Sequence, residues 1–262
     1  MSSSYNWRKI LHEMKDNVRE RVQELYPKRG TVSYFKFKNM LDSKAQEAII
    51  EIIKGYDLPA RLISEEGNKE FNGDQYFLTV DPVDGTTNLS RGLHPSVTSI
   101  SVAENTNQSD VIAGIVSGLY TGGTFYAEKN KGATLDGSCI KVAKPVEYRH
   151  GLISMDISKV PKLERLAPLI RESRHIRSEG CSAASLCHIA SGVLDAHIDL
   201  RGIVRATDIS AGLIILKEAG GIYTINGEIE GEFLLRKDTR VELIAASGRD
   251  MLHQIQKIMR IS

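Results

Sequence analysis

The sequence predicts an α+β fold: a strand-rich first half joined to an α/β second half. Three observations carry that reading. Two helical segments open the chain, strand-like runs then succeed one another without helices, and after about Val146 strands and helices alternate. The chain is therefore divided at a soft boundary into residues 1–146 and 147–262.

Trp7, Ile10, Leu11, Met14 and Val18 recur at helical spacing and predict an amphipathic helix over Tyr5–Leu25. A second helix is expected over Ser43–Lys54. The stretch between them, PKRGTVSYFKFKNM, is polar, basic and glycine-containing, and reads as a mobile or hairpin segment. QYFLTV, VTSISVA, VIAGIVS and GTFYAE read as strands, with turns in ENTNQSD and EKNKGATLDG. Their succession favours an antiparallel sheet. In the second half LISMD, HIRS, LDAHIDL, GIYTI and VELIAAS are strand-like. KLERLAPLIRES, SAASLCHIASGV, DISAGLIILKEAG and RDMLHQIQKIMR are helical. Leu89 and Ile100 are expected in the core.

The chain has 262 residues, of which 41% are hydrophobic and 26% charged, with a net charge of +1. That balance argues against a bulk nucleic-acid or membrane binder. No apolar run approaches the ~20 residues of a membrane span. The N-terminus has no apolar signal core. Cys139, Cys181 and Cys187 form no C-x-x-C pair, which fits a reducing cytoplasm. Cys181 and Cys187 read as packing residues, and His188 and His197 as structural or exposed ones. No H-E-x-x-H or Walker glycine loop is present, so zinc peptidase and P-loop chemistry lack support.

Three acidic clusters stand apart from ordinary surface charge: Glu65-Glu66 in RLISEEGN, Asp81 and Asp84 in TVDPVDGTTNLS, and Asp208 in RATDISAGLIILKEAGG. Each alone has a plain reading. Asp-Pro and Asp-Gly are turn chemistry, Asp208 suits a helix N-cap, and a Glu pair is usually solvated. Taken together they are a set of hard oxygen donors of the kind Mg²⁺ prefers. Pro82 bends the chain so that Asp81, Asp84 and the Val83 carbonyl can face one centre. Gly85 leaves room for a phosphate to approach. Helix-start amides at Gly85 and Thr86 can hold phosphate oxygens, and the Thr86 hydroxyl can align a water.

DPVDGTTN resembles the signature of the inositol monophosphatase family of magnesium-dependent phosphatases. ISEEG upstream, and GCSAASLCHIASGVLDAHID and TDISAGLIILKEAGG downstream, resemble further family elements in the family's order, over roughly Tyr5–Ala246. The resemblance implies a layered αβαβα sandwich of the inositol monophosphatase/fructose-1,6-bisphosphatase type. It implies metal ligands at Glu65, Asp81, Val83 (backbone oxygen), Asp84 and Asp208, holding two or three Mg²⁺, with Mn²⁺ as a substitute. Glu65 and Thr86 would share the attacking water. Asp42 would support a weaker metal position, and Lys36 or Lys38 would lie on a segment that closes over the site. Members are commonly homodimers.

Thr207 stands where the family usually has Trp, and Arg201 and Arg205 lie close by in DLRGIVRATD. These features resemble the archaeal bifunctional enzymes acting on fructose 1,6-bisphosphate and inositol 1-phosphate. That likeness implies substrate contacts from Asp84, Gly85, Thr86, Arg177, Ser182 and Arg201. Guanidinium forks suit the second phosphate of a bisphosphate. Asp199 is either a sugar-hydroxyl ligand or a strand-end structural residue, and Arg205 either a substrate contact or an ion-pair partner. The expected partner is a small phosphorylated sugar or cyclitol. Two alternatives stay open: a phosphatase of 3′-phosphoadenosine 5′-phosphate, for which no adenine pocket is evident, and a non-catalytic regulator that binds RNA or protein.

Overall fold

The computed structural model describes residues 5–260 of the chain. The outer ends of the two expected halves, 1–4 and 261–262, lie outside the described residues, as do the first four residues of the stretch read as free of a signal core.

Helix α1 (Trp7–Leu25) begins behind Asn6, whose side chain accepts from the Lys9 N–H at 3.1 Å. Its buried residues keep the helical period the sequence displays. Helix α2 runs Tyr34–Gly55, so it starts well before the expected Ser43. Ser33 caps it by accepting from the Lys36 N–H at 3.4 Å. Phe37, Leu41 and Ala45 continue one buried stripe at i, i+4 spacing. The expected hairpin in PKRGTVSYFKFKNM is thus corrected to a 3₁₀ turn (Tyr26–Lys28) followed by the first turns of α2. Lysines on the solvent side had hidden the stripe.

The first sheet holds β1 (Ala60–Ser64), β2 (Lys69–Phe71), β3 (Tyr76–Asp84), β4 (Val97–Ala103), β5 (Val111–Gly118), β6 (Thr124–Glu128), β7 (Ala133–Leu135) and β8 (Ser138–Ile140). Their spatial order is β2-β1-β3-β4-β5-β6-β7-β8. All pairings are antiparallel except β1 with β3, which is parallel. The four runs expected to form an antiparallel sheet do so as β3 to β6, while β1, which was not among them, adds the parallel pair. A short helix, α3 (Thr86–Arg91), also interrupts the run of strands.

The second half supplies α4 (Ala167–Glu172), α5 (Ser182–Ala190), α6 (Ala206–Glu218) and α7 (Arg249–Arg260). The helix expected in KLERLAPLIRES is shortened to α4, behind a 3₁₀ turn at Leu163–Arg165, with Pro168 in its first turn. The second sheet, in the order β10-β9-β11-β14-β12-β13, is built from β9 (Leu152–Met155), β10 (His175–Arg177), β11 (Ala196–Arg205), β12 (Ile222–Ile225), β13 (Glu228–Ile229) and β14 (Arg240–Ala246).

Three apolar cores order these parts into five layers, α-β-α-β-α. The first core joins α1 and α2 to one face of the first sheet. The second packs α5 and α6 between the two sheets. The third covers the far face of the second sheet with α4 and α7. Leu89 and Ile100 are buried in the first core. The middle layer positions the site. In α6, Ser210 meets Ser101 of β4 at 2.8 Å and its carbonyl accepts from Gln108 at 3.1 Å. A Cβ on Gly212 would lie 2.7 Å from Leu186 of α5, so the two helices pack at glycine distance. These contacts fix where the start of α6 points.

Candidate active site

Four acidic side chains converge where β1, β3 and α6 end or begin beside one another. Glu65 follows β1 directly. The buried Ser64 hydroxyl donates to Gln46 of α2 and accepts from the Glu66 N–H at 3.2 Å, which fixes that turn.

Asp81 and Asp84 owe their common aim to a bulge. Asp81 pairs with Ser99 and Asp84 with Val97, so Pro82 and Val83 together face one residue of β4. In a regular strand a spacing of three would send the two carboxylates to opposite faces; the extra residue brings them to the same side. Proline fits there because it has no N–H to give the ladder. The Val83 N–H donates to Asp81 Oδ1 at 3.0 Å, and the Thr86 hydroxyl donates to the Val83 carbonyl at 2.8 Å. The Val83 side chain is anchored in the first core. Gly85 then caps α3 with φ +81°, and a Cβ there would lie 2.8 Å from the Pro95 carbonyl. Backbone hand and close approach both demand glycine.

Asp208 is not the N-cap of α6 but its third residue. Its Oδ2 accepts from the Arg205 N–H at 3.1 Å, while Thr207 donates to Oδ1 at 3.1 Å. Oxygens of Glu65, Asp81 and Asp208 lie within 4.8 Å of one another. Asp84 joins them from the α5 side, where its Oδ2 accepts from the Ala183 N–H at 2.9 Å and the Cys181 thiol at 3.2 Å.

Crowding and burial show in the proton affinities. Burial, then the charges of Asp84, Asp208 and Glu65, push Asp81 well above the usual carboxylate range. Burial and Asp208 push Asp84 up to about 7, against the opposing Ala183 and Cys181 donors. Asp208 is raised by burial, with Arg205 opposing. Asp42, buried in α2, is raised to about 7 by burial and then by Glu66. Such a cluster of hard anionic oxygens is the donor set a divalent cation of the Mg²⁺ class takes, and a cation there relieves the repulsion. The residues present fit the ion.

The cleft over this cluster has a volume of about 350 Å³. Lys38, Lys159, Ser182, Arg201 and Arg205 line it alongside the acidic residues and Thr86. Arg201 is held by Asp199, with Nε at 2.8 Å and Nη2 at 2.6 Å, and by Asp156 at 3.2 Å. Asp199 is fully buried beneath it. Lys36, by contrast, lines a separate surface groove with Phe35, Asn39 and Met40. Arg177 is exposed and not among the cleft residues; its guanidinium donates to the Ile176 carbonyl at 2.8 Å. His188 pairs with Glu179 at 2.9 Å and His197 is buried.

Sequence reading passed over several site neighbours. Lys159 faces the cleft from a left-handed residue, φ +64°. Asp156 holds Arg201, and Cys181 serves Asp84 as a donor besides packing. Arg205, read from the sequence as either a substrate contact or an ion-pair partner, pairs with Glu65 and Asp208.

A sequence profile of the inositol monophosphatase family matches residues 6–260. The chain belongs to that family. A fructose-1,6-bisphosphatase/inositol-1-monophosphatase of Methanothermobacter thermautotrophicus is 28% identical, with 99% of each chain covered. A bifunctional NADP phosphatase/NAD kinase of Methanococcus maripaludis is 33% identical over 74% of this chain and 38% of its own length. A Pyrococcus horikoshii structure, described as a hypothetical protein with similarities for inositol-1 monophosphatase, superimposes with a TM-score of 0.81 at 27% identity, covering 97% of both chains. Membership makes the chain a metal-dependent phosphoric monoester hydrolase acting on small phosphorylated substrates. Among the described residues no helix is long and apolar enough to cross a membrane.

Proposed function

We propose that the substrate is a sugar phosphate bearing a second anionic group, with fructose 1,6-bisphosphate preferred over inositol 1-phosphate. The observation that carries this is the pinned Arg201. Apart from the four clustered carboxylates, the one acidic residue lining the cleft is Asp156, and it is spent on Arg201. Beyond the carboxylate cluster the cleft therefore offers Lys38, Lys159 and the Nη1 of Arg201 that neither Asp199 nor Asp156 engages, and, among the described residues, no free carboxylate for a ring of hydroxyls. A preorganised guanidinium loses little freedom on taking up a phosphate.

In this reading Glu65, Asp81, Asp84, Asp208 and the Val83 carbonyl hold two or three Mg²⁺, with Mn²⁺ as a substitute. When bound, the ions would offset the phosphate charge and lower the pKa of a water so that it can be deprotonated for attack. The chain does the rest. Gly85 lets the phosphate come close to the backbone. The Thr86 hydroxyl, set by its bond to the Val83 carbonyl, orients the water together with Glu65, which takes the water's proton. The bond from water oxygen to phosphorus forms as the bond to the sugar oxygen breaks, and the departing sugar oxygen takes a proton from solvent water in the open cleft. Ser182, Arg201 and Lys159 hold the far end of the substrate.

Phosphate release is to be measured with fructose 1,6-bisphosphate, inositol 1-phosphate, 3′-phosphoadenosine 5′-phosphate and NADP. Arg201→Ala should lower kcat/KM for the bisphosphate by roughly 10- to 100-fold and leave inositol 1-phosphate nearly untouched. A wild-type preference for any of the other three esters, or equal losses on both sugar esters, overturns the assignment.

A further inference from the structure

Arg205 stands in the middle of the carboxylate cluster. Its Nη1 pairs with Glu65 Oε1, and its Nε lies 3.3 Å from Asp208 Oδ1. Two of the residues expected to bind metal are thus bridged by one guanidinium. The same two, with Asp81, are the residues whose oxygens converge within 4.8 Å. The backbone at Arg205 is fixed as well, because its N–H donates to Asp208 Oδ2 at 3.1 Å at the junction of β11 and α6. The side chain is 30% exposed and lines the cleft. It has somewhere to go: the open cleft with Lys38, Lys159 and Arg201.

We propose that Arg205 is a built-in counter-cation of the carboxylate cluster, which must release Glu65 when a divalent ion binds and then turns toward the substrate phosphate. This rests on the metal-dependent reading above. Glu65 Oε1 cannot give one lone pair both to Arg205 Nη1 and to a cation that demands near-octahedral oxygens, and two cations crowded on one carboxylate repel each other. The arginine and the first ion therefore compete for Glu65. In the metal-free protein Arg205 offsets the mutual repulsion of buried carboxylates, which would otherwise favour opening of the site. In the loaded protein its freed fork, always charged, suits phosphate oxygens. One side chain would so couple metal binding to substrate binding: metal loading presents the arginine to the substrate. Lysine at 205 would keep the charge but lose the two-pronged bridge.

The test is Mn²⁺ binding to EDTA-treated, dialysed protein, followed by electron paramagnetic resonance, with the thermal midpoint measured with and without Mn²⁺. Arg205→Met keeps the apolar stem and removes the charge. It should bind Mn²⁺ about tenfold more tightly than wild type, since the ion no longer displaces a partner from Glu65. Its metal-free midpoint should fall, and saturating Mn²⁺ should restore most of the loss. Arg205→Lys should bind Mn²⁺ more tightly than wild type but less tightly than the Met variant, and it decides the matter should the Met variant fail to fold. Affinity of either variant equal to or weaker than wild type overturns the proposal. Wild type that binds no Mn²⁺ at all defeats the metal-dependent reading itself, a result distinct from equal binding by all three proteins.

Discussion

Asp42 offers a test of the site's electrostatics that needs no substrate. Its carboxyl lies in α2 at 6% exposure, and burial followed by Glu66 raises it from 3.8 to about 7 in the folded chain, with Lys38 opposing. The folded state therefore holds this proton more tightly than the unfolded chain. Stability is greatest below the unfolded value, declines as pH rises from about 4 to about 7, and levels off above that. The full gap is about three pK units, on the order of 4 kcal/mol against folding at pH 8. At pH 5 only the distance from the unfolded value counts, roughly 1.6 kcal/mol. Asp42→Asn has nearly the same shape and no charge to bury. In EDTA it should raise the thermal midpoint at pH 8 by roughly 8 °C, at about 2 °C per kcal/mol for a chain of this size, and at pH 5 by roughly 3 °C. Calorimetry at the two pH values reads both numbers. A midpoint at pH 8 equal to or below that of wild type would refute the reasoning, since it would mean the carboxylate is bound by donors rather than penalised by burial.

Three further outcomes follow from the geometry. Asp84→Asn should leave the metal-free fold at least as stable, because the buried charge is gone, yet lower Mg²⁺-dependent turnover by roughly a hundredfold or more; unchanged turnover would count against Asp84 as a ligand. Gly85→Ala should cost about 2 kcal/mol or more, because it combines a left-handed backbone with a Cβ 2.8 Å from the Pro95 carbonyl, and a urea midpoint matching wild type would contradict that. Cys181→Ala removes the thiol donor to Asp84 and should destabilise the metal-free protein by about 1–2 kcal/mol, whereas full retention of stability would reduce Cys181 to a packing residue.

Asp81 and Asp84 were legible in the sequence because their spacing is local, whereas Glu65 and Asp208 were joined to them through the family resemblance of their segments. Asp81 and Asp84 sit around a proline, and the bulge that turns both to one side is written in those four residues. The alternating second half was legible for a similar reason: its strands and helices are short, apolar and punctuated by glycine. The start of α2 was not, because Lys36, Lys38 and Lys44 interleave the buried stripe of Phe37, Leu41 and Ala45 and make a half-buried helix look like a basic loop. The parallel pairing of β1 with β3 was hidden because the connection includes β2, which folds back antiparallel beside β1. Charge partners across the fold were the least visible. Asp156 meets Arg201 from just beyond the end of β9, and Arg205 reaches Glu65 across more than half the chain. Nothing in local spacing announces such pairs. The same limit applies to Lys36 and Lys38, two residues apart on one helix, of which only Lys38 lines the cleft.

The most direct test of the whole account is an anomalous difference map from a crystal grown with Mn²⁺. Strong peaks within coordination distance of Glu65, Asp81, Asp84 and Asp208, with Arg205 withdrawn from Glu65, are the predicted result. A clean map with bare oxygens at those four side chains, from protein that hydrolyses phosphate esters, would contradict it.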